Sequence, residues 1–561
     1  MTTRPEPAAW PRALRFTAIS LVLVKLWLVA GQTMMAPGNS PHDDRLFLKL
    51  SASLLQGEWL GSYTDRTLAK GPFFSIFTAG VFLLGLPLFT AIHLLYAAAC
   101  GVMSKALQPL RLGTAAGFGL FLLLLFNPVT YDTGHHVRVL RQAVIPFLAL
   151  FIAAGIAGLA ARQGENARRQ LPWALLLGAS LGCFWITREE SVWILPAVAL
   201  PFLWIVWNAW RTRSADRSPR LAVLLLPLLL WAAGPLAVAS LNLRHYGLFT
   251  TCEFKEHAFK SAYGALTRVT PAHWRPHIPV ARETRERIYA VSPAFAELRP
   301  LIEGRIGEGP VLSSQYLGFP LEDREMGGGQ FMWALRSAVQ AAGHAPDAAT
   351  AMSYYTRLAG EVNAACDDGR LAAGPRRASM LPPLVPAYRP FIQASLADAV
   401  ITAATLRELR VEPRPSRDSA ERRAFFADLT RERLTPASDD VPLLIAQPVM
   451  DRIRVRLLDH VLAAYRFIIP WAAGLACLAW IAAVAIAVRR RRLPLVIPLG
   501  IGLTGSALAV VLIAALVDAT SFPAVHPGYL SGFYAFYLLV IGLAWPALRE
   551  LLAPPPPASI P

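Results

Sequence analysis

Long apolar runs occupy both ends of this chain, and a stretch of mixed polar and charged residues separates them. A helical span takes about 20 apolar residues. Runs of that kind lie near 16–35, 73–107, 114–130, 143–161, 171–187, 191–210, 221–241, 467–488, 494–517 and 531–551. The run at 73–107 is too long for one span and short for two, with Gly85-Leu86-Pro87 as a turn signal in its middle. The pattern predicts an α-helical polytopic membrane protein with 10 to 12 transmembrane helices. Within 73–107, either one half is re-entrant or in the membrane plane, or a further pass is broken elsewhere.

Residues 40–72 interrupt the apolar pattern early. Leu46, Phe47, Leu50, Leu54 and Leu55 recur at helical spacing while Asp44, Arg45 and Lys49 lie off that face. This predicts a short amphipathic helix resting in the membrane surface. From Tyr246 to Arg466 no stretch is apolar enough to cross. Helical periodicity at 283–290, 330–342, 349–365, 391–410, 418–431 and 451–466, separated by Pro and Gly clusters, predicts a mainly helical domain long enough for its own core. The chain thus divides into an N-terminal transmembrane module at 1–245 with an outer loop at 36–72, an inserted polar domain at 246–466, and a C-terminal transmembrane module at 467–561.

Charge orients this arrangement. The net charge of +17 comes largely from short basic clusters beside apolar runs, which suits topology and anionic lipid and argues against a nucleic-acid partner. Arg4, Arg12 and Arg15, Arg111, the RQGENARR loop at 162–169, the 211–220 loop and the RRRR run at 489–492 are predicted to be cytoplasmic, as are both termini. The 40–72 loop, the polar domain and the DATSFPAVHPGY loop at 518–529 then share the opposite side. The first apolar run lacks a small-x-small cleavage site and reads as an uncleaved span. The absence of Asn-x-Ser/Thr sequons is compatible with the inner membrane of a bacterium.

Of the five cysteines, only Cys252 and Cys366 lie outside apolar runs, and in an oxidising compartment they could pair. No CxxC and no Cys/His zinc spacing occurs. The GGGQ run at 327–330 lacks the Lys-Ser/Thr of a phosphate-binding loop and reads as a flexible loop, and the PPPP run at 554–557 as a floppy end.

Ionisable residues gather in the loops assigned to the outer side. Asp43 and Asp44 follow the first span; Asp132, His135, His136, Arg138 and Arg141 follow the third; Arg188, Glu189 and Glu190 interrupt the run at 171–210; Asp518 and His526 precede the last. An adjacent carboxylate pair can bind a divalent cation, act as general base on an acceptor hydroxyl, or cap a helix. Lys and Arg in such loops suit a phosphate or pyrophosphate, although Arg188 with Glu189 or Glu190 also suits a structural ion pair. His135 and His136 point in different directions on a helix and make a poor metal pair. Tyr263, Trp274, Tyr289, Tyr316, Trp333, Tyr354 and Tyr355 are core residues or a sugar-stacking groove.

The order of these parts resembles the GT-C superfamily of membrane glycosyltransferases over about residues 16–245. The matching features are a first span, the outer loop with Asp43-Asp44, a surface helix, Gly57-Glu58-Trp59, Lys70-Gly71-Pro72, a span ending in Asn127-Pro128, and the charged motif at Arg188–Glu190. The HPGYLSGFYAFY stretch from His526 is similar to a late-span motif of those enzymes but lacks its Arg. The resemblance implies transfer of a sugar from a polyprenyl-phosphate donor to an envelope glycan, lipid or protein at the outer face of the membrane. Asp43 or Asp44 would then be the base or a metal-associated group, and Lys70, Arg138, Arg141 and Arg188 the donor-phosphate contacts. His42, Asp132, His135, Glu189, Glu190 and His526 are further site candidates. No metal-ligand set is assigned, and a divalent cation is the one cofactor left open. The polar domain departs from the family in being inserted after the seventh span rather than appended. A transporter of lipid-linked saccharide and a non-catalytic assembly protein are the alternative functions.

Overall fold

The computed structural model describes residues 10–37, 42–110, 112–211, 217–435 and 447–553. Arg4, Ser40, Arg111, part of the 211–220 loop and the PPPP run lie outside the described residues. Among the described residues the chain is helical, with two isolated β-bridges and no strand. Eight of its helices are long and apolar enough to cross a membrane, fewer than the 10 to 12 expected.

Two of the ten apolar runs fall short for a physical reason. Helix α1 (Arg12–Val29) carries Arg12, Arg15 and Lys25, and helix α7 (Ala167–Trp185) opens on Arg168, Arg169 and Gln170. The ambiguous run at 73–107 resolves into α3 (Phe73–Leu83) and α4 (Leu88–Leu107), broken where Gly85 takes φ +72 and Pro87 ends the turn. Eleven residues rise about 16 Å, half a bilayer core, so α4 alone can span.

The bundle is built around α6 (Ile145–Ala161). Its sequence is apolar on every side, and nearly all its residues are buried. It packs against α4, α7, α8 (Leu195–Arg211) and the last helix. Small residues permit the approach: a Cβ on Gly155 would stand 2.8 Å from the Leu177 backbone, and one on Gly158 2.2 Å from the Trp173 ring. Helix α5 (Thr114–Leu125) also packs on the last helix, and α9 (Arg217–Tyr246) lies along α7.

Helix α2 (Asp44–Leu55) forms where the amphipathic pattern predicts it. Its apolar side meets protein rather than lipid: Leu46, Phe47, Leu48 and Leu50 are buried, the helix lies along α3, and Phe47 meets Phe74 edge to face.

The polar insert is helical as expected. It includes α10 (His257–Arg268), α11 (Arg282–Tyr289), α12 (Gly328–Ala341), α13 (Ala348–Asp367), α14 (Arg389–Thr405) and α15 (Ala420–Thr430). The GGGQ run is not a loose loop. Gly328 and Gly329 open α12, where a Cβ would stand 3.1 Å from Ser521 and 2.8 Å from the Phe522 ring. The helix predicted at 451–466 continues without a break into the following span as α16 (Val449–Arg489), about 60 Å long. The chain closes with α17 (Val496–Thr520) and α18 (Ser531–Leu552).

The insert seats on one end of the bundle. The Thr133 N–H donates to the Arg410 carbonyl, the Glu253 N–H to the Leu68 carbonyl, and the Met34 N–H to the Arg433 carbonyl. His277 Nε2 lies 2.8 Å from the Asp518 carbonyl oxygen. The loops after α1 and α5 and before α18 are therefore gathered under one cover.

Candidate functional site

Under that cover, four loops bring oppositely charged side chains together. Asp43 occupies the position before α2, yet its side chain caps no N–H of that helix. It reaches Lys70 instead, and the two form an ion pair. Lys70 Nζ also lies 5.3 Å from the Phe47 ring centre and 5.9 Å from that of Trp333. Burial pushes the Asp43 carboxyl up, but Lys70, with Arg138 and Arg141 beyond it, outweighs this and holds it at about 2.

Asp44 is fully buried. Arg138 grips it with Nε at 3.2 Å and Nη2 at 2.5 Å, and the Val139 N–H donates to it at 3.1 Å. Burial raises its pKa against the pull of Arg138. Of the acidic doublet, only Asp43 opens outward, its side chain 49% exposed. The alternation follows from the start of a helix, where successive side chains diverge by about 100°.

The 186–190 segment runs beside Gly71. The Gly71 N–H lies 3.4 Å from Glu189 Oε1, and the Phe73 N–H donates to the Ile186 carbonyl. Glu189 pairs with Arg141 at 2.7 Å, and Arg141 also donates to the Thr187 carbonyl. Burial opposes ionisation of Glu189, and Arg141 overrides it, leaving the carboxyl at about 2. Arg188 pairs with Glu190 at 3.3 Å and lies over the ring of Tyr529 at 4.8 Å. Burial opposes ionisation of Glu190 too, and the Arg188 charge lowers its pKa.

Asp132 differs from these four carboxylates. It is fully buried, and it accepts from the backbone N–H groups of His135 at 3.0 Å and Arg410 at 2.9 Å. Among the described residues it pairs with imidazoles and with no Lys or Arg: His135 Nδ1 lies at 3.5 Å and His136 Nδ1 at 3.8 Å. His135 stacks on His526, ring centres 4.1 Å apart and 9° from parallel, and His526 meets Tyr529 edge-on at 5.1 Å. Burial, then the nearby His135, pushes the His526 pKa down to about 3.

His42 stacks on Trp333 at 4.3 Å, and burial followed by Arg66 and Lys70 lowers its pKa to about 4. Every predicted site residue therefore falls within one network. Asp518 lies apart from it: it pins its own loop through the Ala524 and Val525 N–H groups and the Ser395 hydroxyl.

One residue of the network escaped the sequence reading: Tyr529 lies between Arg188 and His526. Trp333, expected as core or as part of a sugar-stacking groove, is buried and reaches Lys70 and His42 from α12. Periodicity marks it as an aromatic on a helix face, because nothing local tells which loop it covers. The cysteines are all free; Cys252 is buried with its Sγ donating to the Ala69 carbonyl, so the Cys252–Cys366 bridge does not form. A divalent cation does not fit these side chains. Asp43, Asp44, Glu189 and Glu190 are each taken by Lys or Arg, and among the described residues no three His, Cys, Asp or Glu converge as a ligand set.

No family model matches the chain, and no curated protein does. Two solved structures of ArnT from Cupriavidus metallidurans are similar to it, one in the apo state at 14% identity and one bound to undecaprenyl phosphate at 13%. Each comparison covers 95% of this chain and 77% of that one, with a TM-score of 0.31. A likeness at that TM-score carries no argument, so the functional reading rests on the side-chain geometry.

Proposed function

We propose that this chain is a glycosyltransferase of the GT-C kind, moving a sugar from a polyprenyl-phosphate donor to an envelope glycan, lipid or protein at the outer face of a bacterial inner membrane. The observation that carries the reading is the Asp43–Lys70 pair. A half-exposed carboxylate and an ammonium are held together at one end of an apolar helix bundle, with Arg138, Arg141 and Arg188 around them.

A polyprenyl tail confines its phosphate to the bilayer boundary, so cations at the end of a bundle meet it with little positional entropy left to lose. Lys70 and Arg138 are the cations it reaches, their side chains 12% and 18% exposed against 10% for Arg141 and 6% for Arg188. Arg141 and Arg188, braced by Glu189 and Glu190, keep the loops in register. Asp43, released from Lys70 by the phosphate, accepts a hydrogen bond from the incoming acceptor hydroxyl and orients it.

The test is to supply purified protein in lipid nanodiscs with a panel of polyprenyl-phosphate sugars and an envelope extract, and to follow release of polyprenyl phosphate. Consumption of a donor by the wild type, and its loss in a folded Asp43→Asn variant, is the expected result. No consumption of any donor, or full activity in Asp43→Asn, overturns the reading.

A further inference from the structure

A glycosyl transfer releases a proton from the acceptor hydroxyl, and the acidic doublet is poorly placed to keep it. Asp44 is sealed against Arg138, and Asp43, even once Lys70 turns to the phosphate, keeps Arg138 and Arg141 near enough to hold it as an anion. Glu189 and Glu190 are likewise paired, with Arg141 and Arg188, so the carboxylate left is Asp132, which is buried and faces imidazoles instead of a Lys or Arg. Of these imidazoles, His136 is buried, with its pKa lowered first by that burial, while His135 is 23% exposed. His135 Nδ1 stands 3.5 Å from the buried Asp132 carboxylate with no hydrogen bond between them, close enough for the charge to favour the protonated ring and for the contact to tighten when substrate binds.

We infer that His135 receives the acceptor proton, with Asp132 as its positioning residue and His526 as the face on which the imidazolium rests. This deepens the glycosyltransferase reading and rests on it. The acceptor oxygen forms a bond to the anomeric carbon as the bond from that carbon to the donor phosphate oxygen breaks. The bonding pair leaves with polyprenyl phosphate, and the hydroxyl proton passes to Nε2 of His135.

The surroundings fit a transient positive charge. His526 Nδ1 accepts the Gly528 N–H at 3.2 Å, so that nitrogen carries no proton and the stacked ring is neutral. Gly528 is the residue that allows the stack, since a Cβ there would stand 2.9 Å from His526 and 3.0 Å from His135. Among the described residues, the titratable and charged groups around His135 and its carboxylate include Asp132, His136 and Arg138 on its own segment, Arg410 from the insert, Tyr534 of α18, His526 from the loop before α18, and Arg188 and Tyr529 beside His526.

The test compares pH–rate profiles of the wild type, His135→Gln and Asp132→Asn with a consumed polyprenyl-phosphate sugar, alongside direct binding of polyprenyl phosphate to each. Wild-type transfer should fall on the acid side as an imidazole gains its proton. His135→Gln should lose that limb and about 100-fold or more in kcat while binding polyprenyl phosphate as the wild type does. Asp132→Asn should move the limb to lower pH, and Asp132→Glu should restore part of the shift. If His135→Gln is unfolded by gel filtration, the shift in Asp132→Asn decides. An unmoved limb there, or a folded His135→Gln with wild-type kcat and profile, overturns the assignment while leaving glycosyl transfer in place. A wild type that consumes no donor overturns both.

Discussion

Gly71 lies so close to Ile186 that a Cβ would stand 2.2 Å from the Ile186 carbonyl oxygen and 2.8 Å from its carbonyl carbon. That approach sets the Lys70-Gly71-Pro72 turn beside the 187–190 segment and so places Lys70 near Glu189. Both clashing atoms are backbone, so neither can rotate away. Gly71→Ala should cost about 1–3 kcal/mol by overpacking. The thermal midpoint in detergent should drop and transfer activity should fall with it, while an exposed Gly164→Ala control, where a Cβ would meet nothing, should change neither.

Asp44 and Arg138 form a buried pair in which each satisfies the other. Removing one partner strands a charge, so Arg138→Met should cost about 3–5 kcal/mol, measured by denaturant titration. The double variant Arg138→Met with Asp44→Leu should recover much of that loss. A double variant as unstable as the single would show that the penalty is not a stranded carboxylate.

Lys70→Met tests the donor contact separately from stability. A charge-assisted hydrogen bond is worth about 1.5–3 kcal/mol, so the Kd for polyprenyl phosphate should rise roughly 10- to 100-fold. Calorimetry or tryptophan quenching can read this, since Trp333 lies 5.9 Å from the ammonium. An unchanged Kd in a folded variant would take Lys70 out of the phosphate site.

Glu432 gives the chain a pH signature away from the site. Its carboxylate accepts the Phe89 N–H at the start of α4 at 2.6 Å, and burial, only partly offset by the Phe89 and Thr90 N–H groups, pushes its pKa up to about 7. A carboxyl with a raised folded pKa favours the fold most when protonated. Its contribution is complete below about 4.5, the unfolded value, and is lost as pH rises to about 7. The wild type should lose thermal stability relative to Glu432→Gln across that window, and parallel curves for the two proteins would contradict the shift.

Much of the helical layout was legible in one dimension. Apolar runs found the spans because a bilayer selects on composition averaged over about 20 residues. The periodicity at 283–290, 330–342 and 349–365 predicted Arg282–Tyr289, Gly328–Ala341 and Ala348–Asp367 nearly to the residue. It missed His257–Arg268, and it divided Val449–Arg489 in two because the polar-to-apolar change at 466 does not interrupt the backbone. The amphipathic face of α2 was visible, but what it faces was not: lipid and protein make the same demand on Leu46 and Phe47.

By itself, the sequence determined that these charged groups exist at the ends of apolar runs, since desolvation forbids them deeper without partners. Their pairing was decided only in three dimensions. Asp43 and Asp44 are equivalent neighbours in sequence, yet one faces Lys70 and stays half exposed while the other is sealed on Arg138. Likewise His135 and His136 share one carboxylate, but the ring of His526, nearly four hundred positions along, stacks on His135. Side-chain electrostatics depend on distances of a few ångströms across separate loops, and such distances are set by how the helices and the insert pack, which no local pattern encodes.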